Sequence, residues 1–495
     1  MRKALTGLFL ALACLSTGAS QDPKSKDTAL EARVQGVERG LLPAVLIKGA
    51  PPATMELAER MRFYKVPGVS VAVIADGRVE WARGYGVKEA GKSDPVTPET
   101  MFQAGSISKP VAALAALRLV QDGRLQLDED VNAKLASWHV PENELMREQK
   151  VTLRRLLSHS AGLTVHGFPG YAADAPVPTL VQVLDGVKPA NTEAVRVDTV
   201  PGTLWRYSGG GYTIMQQLLI DVAKKPFPEL LRERVIAPLG LRHSTYEQPL
   251  PASFAALAAT AHNDGQPIKG RWHTYPEMAA AGLWTTPTDL AGIAIELQHA
   301  LAGRSDKVLA QATARQMVTL QIKNYGLGPG VEGAGATAHF SHGGVDEGFE
   351  AYWVAYETTG KGAVVMTNGS GGSALAMEII RAIAREYDWP DYAPKERALA
   401  TVDPQALAAY VGTFEFHPTP TVTIKLDVTS EQGRLYTLQE GNPKTEWLPF
   451  SETEFFRTAS ETTLRFVKDE QGRVSELLVD QGGDVYHGQK VKPDR

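Results

Sequence analysis

Ahead of its last hundred residues, this chain carries strand-forming sequence in two blocks that lie far apart. In the first, Val69, Val71 and Val73 alternate with smaller residues, Asp76-Gly77 marks a turn, and Arg78 to Tyr85 forms a second run. Asp-Gly between two β-rich runs is a strong hairpin signal. In the second block, Phe349 to Tyr356 and Ala363 to Thr367 flank a turn at Thr359-Gly360, with weaker strand character at Tyr325 to Val331 and Ala338 to Ser341. Residues 125 to 320, between the blocks, read as mostly helical with loops rich in Pro and Gly. Ser106 to Asp122 reads as a helix closed by Gly123, and Ser373 to Tyr387 as an amphipathic helix. A sheet built from both blocks must bring distant parts of the chain together. The expectation is an α+β domain, an antiparallel sheet flanked by helices.

At roughly 100–200 residues per domain, 495 residues allow two to four units. The pattern divides the chain into a signal segment at 1–20, a lead-in at 21–50 with a short helical stretch around Leu30 to Arg39, a main domain at 51–390, a linker at 391–404 and a tail at 405–495. The tail carries short strands at Thr421 to Val428, Arg434 to Leu438, Trp447 to Phe450, Thr463 to Lys468, Val474 to Asp480 and Val485 to Val491. Tight turns at Gly433 and Gly472 separate some of them. Repeated short strands at this spacing predict a small antiparallel barrel or sandwich.

Hydrophobic residues make up 43% and charged residues 22%, which excludes a disordered chain or a rod. The net charge of −5 gives no basic excess that would point to nucleic acid. Arg2 and Lys3 precede an apolar run from Ala4 to Leu15 and small residues from Ser16 to Ser20. This is a secretory signal pattern, too short for a membrane span, so the expectation is a secreted or periplasmic protein. The one cysteine, Cys14, lies inside it, with Ala11 where a lipid-anchor signal would carry Leu, a poor match for anchoring. Cleavage after Ala19 or Ser20 leaves a mature chain without cysteine, and so without a disulfide or a thiol nucleophile.

Three segments could carry chemistry. Ser106 and Lys109 form the only S-x-x-K in the chain, at a predicted helix start. Spaced three apart, they share a face, and free N–H groups at the helix start could stabilise an oxyanion. The competing reading is an N-cap serine beside a surface lysine. Tyr207 precedes Gly209, Gly210 and Gly211; its phenol could act as acid or base, or be a core tyrosine beside a helix cap. His342, Gly343 and Gly344 lie at a strand edge, where glycines permit close approach by a ligand and a histidine can donate or carry charge. There is no G-x-S-x-G elbow, no H-E-x-x-H zinc motif and no glycine fingerprint for nucleotides after a strand. Nothing in the sequence asks for a metal or a cofactor.

Taken in order, the three segments resemble the motifs of penicillin-recognising serine hydrolases, specifically the class C β-lactamase-related family, which carries S-x-x-K, then Y-x-N, then K-T-G or H-x-G. Thr152 to Leu163 and Ala281 to Leu290 look like the family as well. The resemblance covers residues 55 to 388. It implies that Ser106 is acylated, that Lys109 and Tyr207 share the proton work, and that the oxyanion hole is the backbone N–H of Ser106 and Val345. It puts His342 where β-lactamases carry lysine, and makes Gly209, Gly343 and Gly344 substrate-binding positions. His159 and Ser108 read as structural.

Two departures shape the expected activity. Gly209 replaces the Asn of Y-x-N, and His342 replaces the lysine that meets a β-lactam carboxylate. The H-x-G form is similar to D-aminopeptidases and related esterases, and the tail, through Tyr410 to Phe414 and its strand rhythm, looks like the lipocalin-like barrel of some of them. The resemblance implies an exported hydrolase of small amides or esters, with short peptides containing D-residues as candidate substrates. The alternatives are a β-lactamase and a non-catalytic binder of cell-wall peptides. The sequence leaves the oligomeric state open.

Overall fold

The structure, a computed structural model, describes residues 23–51, 54–419, 422–441 and 444–491. The expected signal segment and Cys14 lie outside the described residues. The central sheet has six strands: β1 (Gly68–Ala75), β2 (Arg78–Gly86), β3 (Gly330–Glu332), β4 (His339–Asp346), β5 (Phe349–Tyr356) and β6 (Gly362–Thr367). Their order is β2-β1-β6-β5-β4-β3, and every pairing is antiparallel. The two strand blocks thus join at β1 and β6, in register from Gly362 opposite Ile74 to Thr367 opposite Val69. Asp76 (φ +51) and Gly77 (φ +68) both sit in the left-handed region, as the tight β1–β2 turn requires.

Helices cover both faces of the sheet. Val69, Val71 and Val73 pack with α1 (Pro23–Glu38) and with Ile379, Ile380 and Ile383 of a C-terminal helix, whereas Ala72 and Ile74 face the large core around α2 (Ser108–Gln121). Burial on both faces explains why β1 reads as a nearly continuous apolar run. α3 (Gly209–Ala223) and α4 (Pro287–Leu301) belong to the α2 side, and α5 (Gly372–Glu386) is the helix carrying the three isoleucines.

The segment expected as a lead-in is part of this domain. α1 buries Val34 and Val37 against the α5 layer, each side chain contributing about 1.5 kcal/mol or more. Residues Val45–Ile47 pair in parallel with Lys395–Arg397 of the expected linker. The middle of the chain is also less helical than its pattern predicts. Long stretches without helix, including 158–179 and 237–277, interrupt it, in keeping with their recurrent Pro and Gly. No helix among the described residues is long and apolar enough to cross a membrane.

The tail is a closed antiparallel barrel of eight strands, two more than the pattern predicts: β7 (Gly412–Thr419), β8 (Val422–Glu431), β9 (Arg434–Leu438), β10 (Thr445–Pro449), β11 (Glu454–Arg457), β12 (Ser460–Lys468), β13 (Val474–Gln481) and β14 (Asp484–Lys490). β7 is hidden in the sequence by His417-Pro418, and β11 by its length of four residues. The short helix Pro404–Leu407 precedes the barrel, and Leu407 joins the barrel's core.

Candidate active site

Ser106 lies on a single 3₁₀ turn, Gly105–Ile107, that runs directly into α2. Lys109, one turn on, is 2% exposed, and its Nζ donates to Ser106 Oγ (2.8 Å) and to Ala280 O (2.8 Å). The surface-lysine reading is therefore excluded. Burial pulls the Lys109 ammonium down to about 7, with the Asp346 carboxyl acting in the opposite direction. Ser108 braces the turn: its Oγ donates to Gly105 O (2.6 Å) and accepts from Leu283 N (3.0 Å).

Tyr207 immediately precedes Ser208, whose side chain caps α3 by accepting from Gly211 N (3.0 Å). The phenol ring rests on His159, centroid to centroid 4.2 Å, and lies 4.9 Å from Lys109 Nζ. Burial pushes the phenol above its ordinary value, while the neighbouring Ser106 hydroxyl works the other way. His159 is buried, with φ +57, and its Nδ1 accepts from Ser208 N (3.1 Å). It holds the backbone that carries Tyr207.

β4 closes the opposite wall. Its side chains alternate, so that His342, Gly344 and Asp346 are buried on one face while Gly343 and Val345 are exposed on the other. A Cβ on Gly344 would collide with Ala104 O, and one on Gly105 (φ +52) with the amide of Val345. Only glycine at both positions lets the strand approach the Ser106 turn this closely, which brings the Val345 N–H beside it. Gly344→Ala is expected to push β4 away and lower kcat/KM by roughly a hundredfold, with a far smaller effect on fold. Steady-state kinetics beside a circular-dichroism melt checks this, and unchanged kinetics would contradict it.

His342 has both ring nitrogens engaged. Its Nδ1 lies 2.5 Å from Gly343 O and its Nε2 2.6 Å from the Tyr325 hydroxyl. Burial first, and then Lys109, pull its pKa down to about 3, so the imidazole is neutral. Nδ1 then donates to the carbonyl and Nε2 accepts from Tyr325, and His342 has no free N–H for a substrate.

These groups line one cavity of about 720 Å³. Ser106, Lys109, Tyr207, His342, Gly343, Gly344 and Val345 all border it. Gly209 does not. It opens α3, buried against Phe168 and the His166 backbone, so the expected substrate contact there is replaced by a packing role. The sequence reading missed Phe168, Trp205, Tyr325, Tyr352 and Glu332 on the wall, and Asp346 beneath it. Asp346 is buried, and burial pushes its pKa up, against the pull of Lys109 and of the Gly105 backbone N–H. Strand alternation from His342 would have found Asp346. Nothing in the sequence marks the others, which come from irregular loops. Among the described residues, Lys109 is the only lysine or arginine bordering the cavity, and no group of three or more His, Cys, Asp or Glu could hold a metal ion.

The family model described as Beta-lactamase matches residues 56–387. The chain belongs to the beta-lactamase family. A second model, Domain of unknown function (DUF3471), matches residues 396–490, the barrel and the strand before it. Among curated relatives, this family member is 26% identical to "Penicillin-binding protein 4" of Amycolatopsis lactamdurans over 65% of this chain and 86% of that one. It is 28% identical to "Unguisins hydrolase ungD" of Aspergillus violaceofuscus (strain CBS 115571) over 46% of this chain and 41% of that one. Among solved structures, the octameric penicillin-binding protein homologue from Pyrococcus abyssi aligns with a TM-score of 0.58 at 20% identity, covering 88% of this chain and 98% of that chain. The D-amino acid amidase from Ochrobactrum anthropi SV3 aligns with a TM-score of 0.55 at 21% identity, covering 72% and 97%. These structural likenesses concern the fold. The beta-lactamase-family domain and the barrel behind it are both accounted for.

Proposed function

We propose that this protein is an exported serine hydrolase that cleaves small amides or esters through an acyl-enzyme, with D-amino-acid amides and short peptides as the leading substrate class. The observation that carries this reading is the 2.8 Å contact between a buried, readily neutralised Lys109 and the Ser106 hydroxyl. Export rests on the Arg2 to Ser20 pattern alone.

In this reading Ser106 Oγ attacks the substrate carbonyl while Lys109 takes its proton. The phenol of Tyr207, held above its ordinary pKa by burial, stays protonated and suits proton delivery rather than the first abstraction. The Ser106 and Val345 N–H groups hold the oxyanion. The carbonyl–nitrogen or carbonyl–oxygen bond then breaks as the proton from Lys109 passes, by way of Tyr207, to the leaving group. Water attacks the ester, gives its proton to the same base, and releases Ser106. His342 acts through Tyr325, fixing that wall of the cavity.

The cavity favours an amide or ester over a β-lactam. A neutral His342 offers no charge to a carboxylate, and among the described residues no second lysine or arginine borders the cavity. Glu332 does border it, with its carboxylate accepting from Asn324 Nδ2 (3.0 Å), and in this reading it meets the ammonium of an amino-acid amide. Assays of D- and L-amino-acid p-nitroanilides, p-nitrophenyl esters and nitrocefin, run side by side, test the reading. Turnover of amide or ester above nitrocefin is expected. Nitrocefin as the best substrate would favour the β-lactamase alternative. Failure to turn over any substrate or to react with a fluorophosphonate would favour the non-catalytic binder.

The pH profile is a separate check. Lys109 serves as a base only when neutral, and its pKa lies near 7. On a good substrate, kcat/KM should therefore rise with pH along a limb centred near 7 and level off above it. A profile flat from pH 6 to 9 would remove Lys109 from the base role.

A further inference from the structure

Among the described residues, the barrel is packed at one end and open at the other. Along β12, Phe466 and Leu464 are buried but Thr462 is half-buried; along β13, Leu477 is buried, Val479 half-buried and Gln481 exposed; along β8, Val428 is buried and Leu426 and Ile424 are half-buried. The inward-facing side chains thus run out of packing partners in the same direction on each strand. The closed end is plugged by Leu407 and by Tyr410, which stacks on Phe466 at 4.3 Å. At the open end lies a cavity of about 610 Å³, within the size range of small-molecule sites.

Its walls are chemically divided. Phe416, Leu426, Leu464, Val479 and the ring of Trp447 form an apolar lining. Trp447 is fixed by its Nε1 donating to Thr437 Oγ1 (2.8 Å). Arg457, at the end of β11, borders the same cavity, with its guanidinium carbon 5.7 Å from the Trp447 ring centroid. Its Nε donates to Ser460 Oγ (2.5 Å), and no carboxylate pairs with it among the described residues. Burial lowers its pKa, against a smaller opposing pull from the Tyr64 phenol. The rim carrying Arg457 rests on the catalytic domain: Thr458 O accepts from Val45 N (3.1 Å), and Asp484 pairs with Lys323 (2.7 Å), next to Asn324 and Tyr325 of the other cavity.

An eight-stranded barrel can be filled by side chains or can hold one small ligand. Among the described residues the open half is unfilled, and its one strong charge is a guanidinium, which prefers a planar anion such as a carboxylate. We infer that the barrel is a binding site for a single-chain carboxylate amphiphile, its carboxylate on Arg457 and its alkyl chain along Trp447, Leu464 and Phe416. This site is distinct from the Ser106 cavity and does not depend on the hydrolase reading.

The test is calorimetric titration of the full-length protein with dodecanoate, kept below its micelle concentration, with dodecyltrimethylammonium as the control of opposite charge. One-to-one binding of dodecanoate is expected, with the ammonium compound at least tenfold weaker. Arg457→Gln should weaken dodecanoate about tenfold, equivalent to about 1.4 kcal/mol. Val479→Trp, which fills the open end, should abolish binding, provided that circular dichroism shows a folded barrel. Ser106→Ala should bind like the parent. Absence of saturable binding in the parent overturns the inference, as does equal binding of the ammonium compound or unchanged binding in Arg457→Gln. Loss of binding in Ser106→Ala would move the amphiphile to the other cavity and also overturn it.

Discussion

Ser106→Ala is expected to lower kcat by a factor on the order of 10⁴ or more on any substrate the parent turns over, because the acyl-enzyme has no other nucleophile to form on. The variant should keep its fold. Lys109 loses one acceptor but retains Ala280 O at 2.8 Å, and the turn is still braced by Ser108. Intact-mass spectrometry separates the outcomes directly. A serine-directed fluorophosphonate should add one equivalent to the parent and none to the variant. An alanine variant that turns over substrate at the parent rate, or still takes up the label at the site, would overturn the assignment of Ser106.

Tyr207→Phe carries the second largest expected effect, a loss of about 10²- to 10⁴-fold in kcat, the range for removing a positioned proton donor. The substitution keeps the ring on His159 and its place beside Lys109 Nζ, so packing changes little. Because the phenol sits on the path to the leaving group, the loss should be greatest for amides, whose amine must be protonated to depart. It should be smaller for p-nitrophenyl esters, whose leaving group needs no proton. A uniform loss across both classes would show that the hydroxyl positions substrate rather than moving a proton, and parent-like kinetics on amides would remove it from the mechanism.

The sheet could be read from β1, because a run buried on both faces is apolar along its length, and from Asp76-Gly77, because few residue pairs accept two left-handed conformations in succession. The helix starting near Ser106 was legible for a similar local reason. β7 and β11 were not, one interrupted by proline and the other too short to show alternation. α1 appeared as a lead-in because its apolar residues mean nothing until α5, more than three hundred residues later, folds against them.

The same division runs through the site. By itself the sequence determined the order and spacing of Ser106, Lys109, Tyr207 and His342, since a turn or a helix face fixes neighbours within a few residues. Only the tertiary structure decided that Lys109 is buried against Ala280, that Gly209 packs rather than touches substrate, that Tyr325 occupies the imidazole of His342, and that Asp346 lies buried beneath the cavity. Burial and long-range partners set the charge state of each group, and neither is encoded in any short stretch of the chain.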